Sequence, residues 1–230
     1  MKNDIVCLIP ARKNSSLKNK NMVLINNKPL IYYTIASAKK CGKIKEINVS
    51  SDSNVILNYS KQFNIKALRR PKKLAKNNTK GNEVIIQFIK ERKNYLKNKS
   101  IIILQPTSPL RKSSHINKAI DLHYKNNHKT IVSVKKNDSK ILKSFILNKK
   151  KLQPLEKGKY IEENRQNLPE IYSPNGAIFL FSVKEFKKNK KIPYNKSIPF
   201  FMNEKESIDL DTKEDLIIIK KLLKGYGKRI

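Results

Sequence analysis

An α/β fold built on a mostly parallel sheet wrapped by helices is predicted by three observations. Short runs of Ile, Val and Leu alternate with segments of helical periodicity along most of the 230 residues. The first run, Ile5 to Ile9, is apolar throughout, as a parallel strand covered on both faces must be. It opens directly into a basic, polar loop, Pro10 to Asn21. A strand that delivers cations, amides and hydroxyls to its carboxyl end makes an anion site, so the pattern is that of a mononucleotide-binding, Rossmann-like sheet.

Each element follows from local chemistry. After the strand at 4–9 and its loop, Pro29 suits the first turn of a helix near 29–40, where Leu30, Ile31, Thr34, Ile35 and Ala38 share a face. A strand at 46–50 ends at Ser50-Ser51-Asp52 and a helix near 53–62 follows. A short strand at 65–68 stops at Arg69-Arg70-Pro71, where the proline forces extended backbone. The next helix is expected at roughly 82–96. The Ile-rich strand 100–104 runs into Gln105-Pro106-Thr107-Ser108-Pro109-Leu110-Arg111, after which Ser113 or Ser114 can cap a helix to about 126. Beyond a strand at 130–135, residues 136–174 carry short apolar pieces and Lys runs, and are expected to leave the main sheet as a small excursion. The chain returns through a buried strand, Asn175 to Phe181, a strand near 197–202 and a helix at about 212–224. No repeat or low-complexity linker divides it, so a single domain is expected over 1–230.

The formal charge of +33, from 51 Lys and Arg against 18 Asp and Glu, raises nucleic acid as a partner, because cations neutralise phosphates. The distribution argues against it. Only seven of the basic residues are Arg, and Lys is spread along the chain beside abundant Asn and Ile, as on solvated helix faces. The sequence holds neither aromatic-basic interleaving nor Cys/His finger spacings. No apolar run reaches membrane-spanning length, and Ile5 to Ile9 is too short for a signal core. The expectation is a cytoplasmic protein without membrane contact. Cys7 and Cys41 have neither metal-knuckle nor disulfide spacing and are expected to be reduced and structural.

Four segments at strand ends, where open α/β sheets bind ligands, carry chemistry. In the opening loop, Arg12 and Lys20 can clamp a triphosphate, with Ser15, Ser16 and backbone amides adding hydrogen bonds; the other reading is a solvated basic loop. The loop is neither a Walker A nor a GxGxxG motif. In 105–111, two prolines stiffen the backbone and Gln105 offers a donor and an acceptor to a polyhydroxylated substrate, or the segment is a rigid turn. In Ser207-Ile208-Asp209-Leu210-Asp211-Thr212, two carboxylates at i and i+2 share one side of an extended segment, a donor set that suits Mg²⁺. Asp211 is alternatively a cap for the last helix, whose positive end also favours Thr212, Glu214 and Asp215. The fourth segment pairs Arg165-Gln166 with Pro174-Asn175-Gly176. Arg165 suits a carboxylate and Asn175 is a substrate-binding candidate, unless the two form a surface ion pair and a turn.

Taken together and in order, these segments resemble a known family over essentially the whole chain. IPARKNS with Asn19-Lys20-Asn21, VSSD at 49–52, RRPKKLA at 69–75, LQPTSPLR at 104–111, Arg165-Gln166 with LPEIYSPNGAIF at 168–179, and SIDLDTKEDL at 207–216 look like the CMP-sialic acid synthetases. These acylneuraminate cytidylyltransferases include legionaminate and pseudaminate relatives.

The resemblance implies an enzyme that joins CTP to an acidic nine-carbon 2-keto sugar, giving the CMP-sugar and pyrophosphate, with Mg²⁺ as cofactor. It assigns Arg12 and Lys20 to the triphosphate, Asn21 and Arg70 to the cytidine side, Gln105 to the sugar, and Asp209 and Asp211 to Mg²⁺. Arg12, Lys20 and Asp211 are the catalytic candidates. Arg165 is expected to reach the sugar site of the partner subunit in a homodimer, with 136–174 as dimerisation element and substrate lid. The chain departs from the family at two points. Arg12 to Lys20 has no Gly, is one residue shorter, and has Ser16 where a Lys is expected; Phe179 stands where some relatives have Tyr. Other readings stay open: activation of the eight-carbon acid Kdo, a degenerate and inactive family member, and a polyanion-binding protein acting through charge alone. His115, His123 and His128 fall in no site segment, and no general base is nominated.

Overall fold

A computed structural model describes residues 4–13 and 19–226. In chain order the first half contains β1 (Ile5–Pro10), β2 (Leu24–Ile25), β3 (Lys28–Pro29), α1 (Leu30–Lys39), β4 (Ile44–Ser51), α2 (Asn54–Lys61), β5 (Lys66–Arg69), α3 (Gly81–Glu91) and β6 (Ser100–Ile103). The second half adds α4 (Ser113–Lys125), β7 (Ile131–Asn137), β8 (Phe145–Asn148), β9 (Lys151–Pro154), β10 (Ile171–Ser182), α5 (Val183–Asn189), β11 (Ile198–Phe201) and α6 (Lys213–Tyr226).

One seven-stranded sheet, in the order β11-β7-β10-β6-β1-β4-β5, organises the molecule. β1 pairs in parallel with β4 and β6, β4 with β5, and β7 with β11. β10 runs antiparallel to both neighbours, because the excursion before it turns the chain round. Side chains of β1 alternate between two cores. Ile5, Cys7 and Ile9 pack with Ile35 of α1 and Ile116 of α4, while Val6 and Leu8 pack with Phe88 of α3 and Phe186 of α5. Covering both faces explains why the strand is apolar throughout. Cys7 and Cys41 are both buried, and neither is joined in a disulfide among the described residues.

Several boundaries differ from expectation, the excursion's among them: β7 runs on to Asn137 and β10 begins at Ile171, so 136–137 and 171–174 belong to the sheet. α3 ends at Glu91, because Arg92 turns out of the helix, where its Nη1 donates to Asn48 Oδ1 at 2.6 Å and its Nη2 lies 2.7 Å from Glu46 Oε1. Neither Ser113 nor Ser114 caps α4. Lys112 occupies the cap position and its backbone N–H donates to His115 Nδ1 at 3.3 Å. The excursion leaves the sheet after Asn137, contains the β8–β9 hairpin and returns at Ile171. Among the described residues no helix is long and apolar enough to cross a membrane.

His123 is structural. Its Nδ1 donates to the Lys129 carbonyl at 2.7 Å, so its Nε2 accepts from Ser100 Oγ at 2.8 Å. Burial pulls its pKa from 6.5 down to about 4, against the pull of the Lys129 carbonyl. Between those values the unfolded chain binds a proton that the folded chain refuses, so stability falls as pH falls through this window, by about 3 kcal/mol. Urea unfolding at pH 7 and pH 4 should show the wild type losing about that much more than His123→Gln; equal losses would mean that His123 protonates in place.

Candidate active site

An open cleft of about 510 Å³ lies at the carboxyl ends of β1 and β6, where the chain switches from one side of β1 to the other. The cations Arg12, Lys20 and Arg70 meet the carboxylates Asp209 and Asp211 there, with Asn21 and Gln105 between them. A larger hollow of about 980 Å³ at the opposite strand ends contains none of these residues.

The opening loop is tied at both ends. Ala11 N donates to Ser50 O at 2.9 Å, which continues the β1–β4 ladder, and Asn21 Nδ2 donates to Arg12 O at 2.8 Å. Asn21 is thus also a latch for the loop. Arg12 Nη1 crosses to the carbonyl of Lys76 at 3.0 Å. Asn19, left-handed at φ 54°, turns Lys20 inward, and asparagine adopts that conformation at little cost. Buried, the Lys20 ammonium donates to Leu210 O at 2.7 Å and to Asp211 Oδ1 at 2.9 Å. Two of its three protons are used among the described residues, and the third is available to an anion in the cleft. Ser15 and Ser16 lie outside the described residues.

Arg70 is buried against β4, donating from Nε to Ser50 Oγ at 3.2 Å and from Nη2 to Ser50 O at 2.8 Å. Burial lowers its pKa to about 10, opposed by the Asp52 carboxylate, so it stays cationic at neutral pH.

The acidic pair is aimed by the residue between its members. Leu210 buries into a small core with Leu30, Leu110 and Ile219, and its N–H donates to Thr107 O at 2.9 Å. In an extended segment the flanking side chains then turn the other way, toward the cleft. Capping of α6 falls to Thr212 and Asp215: Asp215 N donates to Thr212 Oγ1 at 3.1 Å, and Thr212 N to Asp215 Oδ2 at 2.8 Å. Asp211 is left free to face Lys20. Asp209 Oδ1 is buried without a hydrogen-bond partner among the described residues. Burial holds this carboxyl above the ordinary carboxylate range; a hydrogen bond from Thr107 opposes the shift and the nearby Asp211 adds to it. A buried acceptor oxygen left open beside a second carboxylate fits a hard divalent cation that takes its other ligands from phosphate and water.

On the far side of the cleft, Gln105 projects from the end of β6. Asn175 does not join it. It is buried with its amide spent inside the fold: Oδ1 accepts from Ser133 Oγ at 2.6 Å and Ala177 N at 3.1 Å, and Nδ2 donates to Ser207 Oγ at 2.8 Å. The expected substrate-binding role therefore gives way to a structural one, that of fixing the bulge where the β10–β7 register slips. Arg165 lies outside the cleft as well, exposed in the excursion.

The family model described as cytidylyltransferase matches residues 6–224. The chain belongs to the cytidylyltransferase family. It is 30% identical to an N-acylneuraminate cytidylyltransferase of Streptococcus agalactiae serotype V over 97% of its own length, and spans 54% of that relative. Thus it covers about half the length of the curated relatives of that kind. It is 32% identical to a CMP-N,N'-diacetyllegionaminic acid synthase of Legionella pneumophila, over 95% of this chain and 96% of the other. The solved structure of a CMP:2-keto-3-deoxy-manno-octonic acid synthetase complexed with CTP superposes with a TM-score of 0.73 at 14% identity, covering 97% of this chain and 99% of that one. At that identity the last likeness speaks for the fold.

Within this cytidylyltransferase-family cleft, sequence reasoning missed Lys76, Asn82, Thr107 and Tyr194, all of which line it. No local pattern marks Lys76; its place beside the opening loop, where its carbonyl accepts from Arg12 Nη1, identifies it. Thr107 belongs to the LQPTSPLR segment but is recognisable only through its backbone and side-chain contacts to Leu210 and Asp209.

Proposed function

We propose that this protein transfers the cytidylyl group of CTP to the anomeric hydroxyl of an acidic nonulosonic acid and releases pyrophosphate. The observation that carries the reading is the meeting of three cations, the Gln105 amide and two carboxylates at one switch point, in a chain whose relatives are named for acylneuraminate and legionaminic acid. Arg12 and Lys20 take the triphosphate, Arg70 and Asn21 the cytidine side, and Gln105 the sugar. The sugar hydroxyl oxygen attacks the α-phosphorus in line. The new O–P bond forms as the bond to the pyrophosphate oxygen breaks, and the hydroxyl proton leaves to solvent. Phosphoryl transfer is mostly positioning and charge neutralisation, which Lys20 and Arg12 supply to the leaving pyrophosphate. Asp209 and Asp211 would hold Mg²⁺, which when bound adds positive charge at the phosphate oxygens. A cytosolic location goes with the use of CTP. Pyrophosphate release should be seen with CTP, Mg²⁺ and one of sialic, legionaminic or pseudaminic acid. Release with Kdo alone, or with none of them, overturns the assignment.

A homodimer through the excursion goes with this reading. The β8–β9 hairpin exposes Phe145, Ile146, Leu147 and Leu152, and a two-stranded hairpin with apolar residues in water is poorly stable alone. A second copy of the chain would cover it and carry the partner subunit's Arg165 toward the sugar. Light scattering should find a dimer that Leu147→Asp with Leu152→Asp converts to monomer; a monomeric wild type at micromolar concentration removes the idea.

A further inference from the structure

Arg111 ends the LQPTSPLR segment and has no part in the binding roles above, yet it is more deeply buried than Lys20 or Arg70, at 2% exposed. Among the described residues its hydrogen-bond partners are all neutral. Nη1 donates to the carbonyls of Gln105 at 3.0 Å and Ala177 at 2.9 Å, and Nη2 donates to Thr34 Oγ1 at 2.7 Å. Thr34 Oγ1 in turn donates to Gln105 O at 3.3 Å. Nε is buried without a partner among the described residues. Burial lowers the pKa of Arg111 to about 10, and Asp209 is among the groups that resist the change. Burying a cation against neutral groups is unfavourable, so its retention here calls for a geometric return.

That return is the separation of two backbone segments. The Gln105 carbonyl lies just beyond the end of β6 at Ile103, and the Ala177 carbonyl belongs to the bulge of β10. The same bulge contains Gly176 at φ +76°, where a Cβ would come within 2.9 Å of Gln105 Oε1. Gly176 is therefore required twice, for its left-handed backbone and for the room that it leaves the Gln105 amide.

We propose that Arg111 is a positioning residue for the sugar half of the cleft, a fork that pins the end of β6 to the bulge of β10 at the spacing that aims the Gln105 amide. This rests on the reading of Gln105 as a sugar-binding group. A Lys in its place reaches one carbonyl as a point charge and lacks the planar, multi-directional donors. Arg111 acts on the sugar through Gln105 and touches neither substrate.

Arg111→Lys, Gly176→Ala and the double variant test the idea, with three readouts: KM for the acidic sugar, Kd for CTP by calorimetry, and local deuterium uptake. Each single variant should raise the sugar KM about 10-fold while CTP affinity stays within about 3-fold, since the change acts on one substrate only. The double variant should lose no more than the worse single one, because both act through Gln105. Uptake should rise at 105–108 and 175–178 and stay level in α3 and β4. Equal losses for sugar and CTP, additive effects, or uptake that rises across the sheet or nowhere would each overturn the proposal. If Arg111→Lys fails to fold, Thr34→Val, which keeps the guanidinium and removes the hydroxyl it shares with Gln105 O, must give the same selective rise; an unchanged sugar KM overturns the proposal too. Deuterium uptake needs no turnover. A wild type that binds CTP yet activates no acidic sugar therefore counts against the proposed function, and the exchange pattern still decides whether Arg111 clamps 105–108 to 175–178.

Discussion

Lys20→Met should lower kcat/KM for CTP by about 10²–10³-fold and leave the protein folded. Removing one preorganised donor from a site of developing charge has effects of this size, and methionine fills most of the space of the lysine stem. The ammonium is anchored on one side by Leu210 O and Asp211 Oδ1, so it holds its position without substrate and has a third N–H for the triphosphate. A loss of about 1–3 kcal/mol of stability is expected, because the buried Leu210 carbonyl loses its donor, while Asp211, 63% exposed at its side chain, is rehydrated. Steady-state pyrophosphate release with a thermal melt on the same samples checks both halves. A kcat/KM within 3-fold of the wild type would remove Lys20 from the triphosphate.

Asp209→Asn should separate activity from stability in the opposite sense. If Asp209 holds Mg²⁺ as proposed, a fall of about 10³-fold in turnover is expected, since an amide neither balances the cation's charge nor accepts at both positions. Stability at neutral pH should hold or rise. The folded carboxyl has its pKa raised, mainly by burial, so the fold favours the protonated form and becomes less stable as pH climbs from 3.8 through the raised value. Asparagine removes that penalty and keeps the shape. Denaturant unfolding at pH 7 beside turnover would show the split. A variant that turns over normally, or that is destabilised while the wild type binds no Mg²⁺, would mean that Asp209 is a structural acid.

These two residues also show how far sequence reasoning reaches. The i, i+2 spacing of Asp209 and Asp211 is enough to put both carboxylates on one side of the chain, because side chains alternate along extended backbone. It does not say which side faces the cleft or which acid caps α6. Burial of Leu210 decides the first, and the Thr212–Asp215 exchange of hydrogen bonds decides the second. The inward turn of Asn175 has no sequence signal, because an Asn-Gly pair at a strand has one appearance whether its amide points at a ligand or into the fold. Its partners Ser133 and Ser207 lie 42 and 32 residues away. The antiparallel entry of β10 is equally hidden, since a buried strand has the same composition in either direction.

The sequence by itself determined the α/β class, the alternation of strands and helices, the cleft-facing candidates Arg12, Lys20, Asn21, Arg70, Gln105, Asp209 and Asp211, and the family. All of these depend on local patterning and on short motifs read in order. Tertiary structure alone decided the sheet order around β1, the loss of Asn175 to the interior, the pairing of Lys20 with Asp211, and the clamp by which Arg111 holds β6 to β10. Each of those is a meeting of groups distant in the chain, and the long-range packing that brings them together has no local signature.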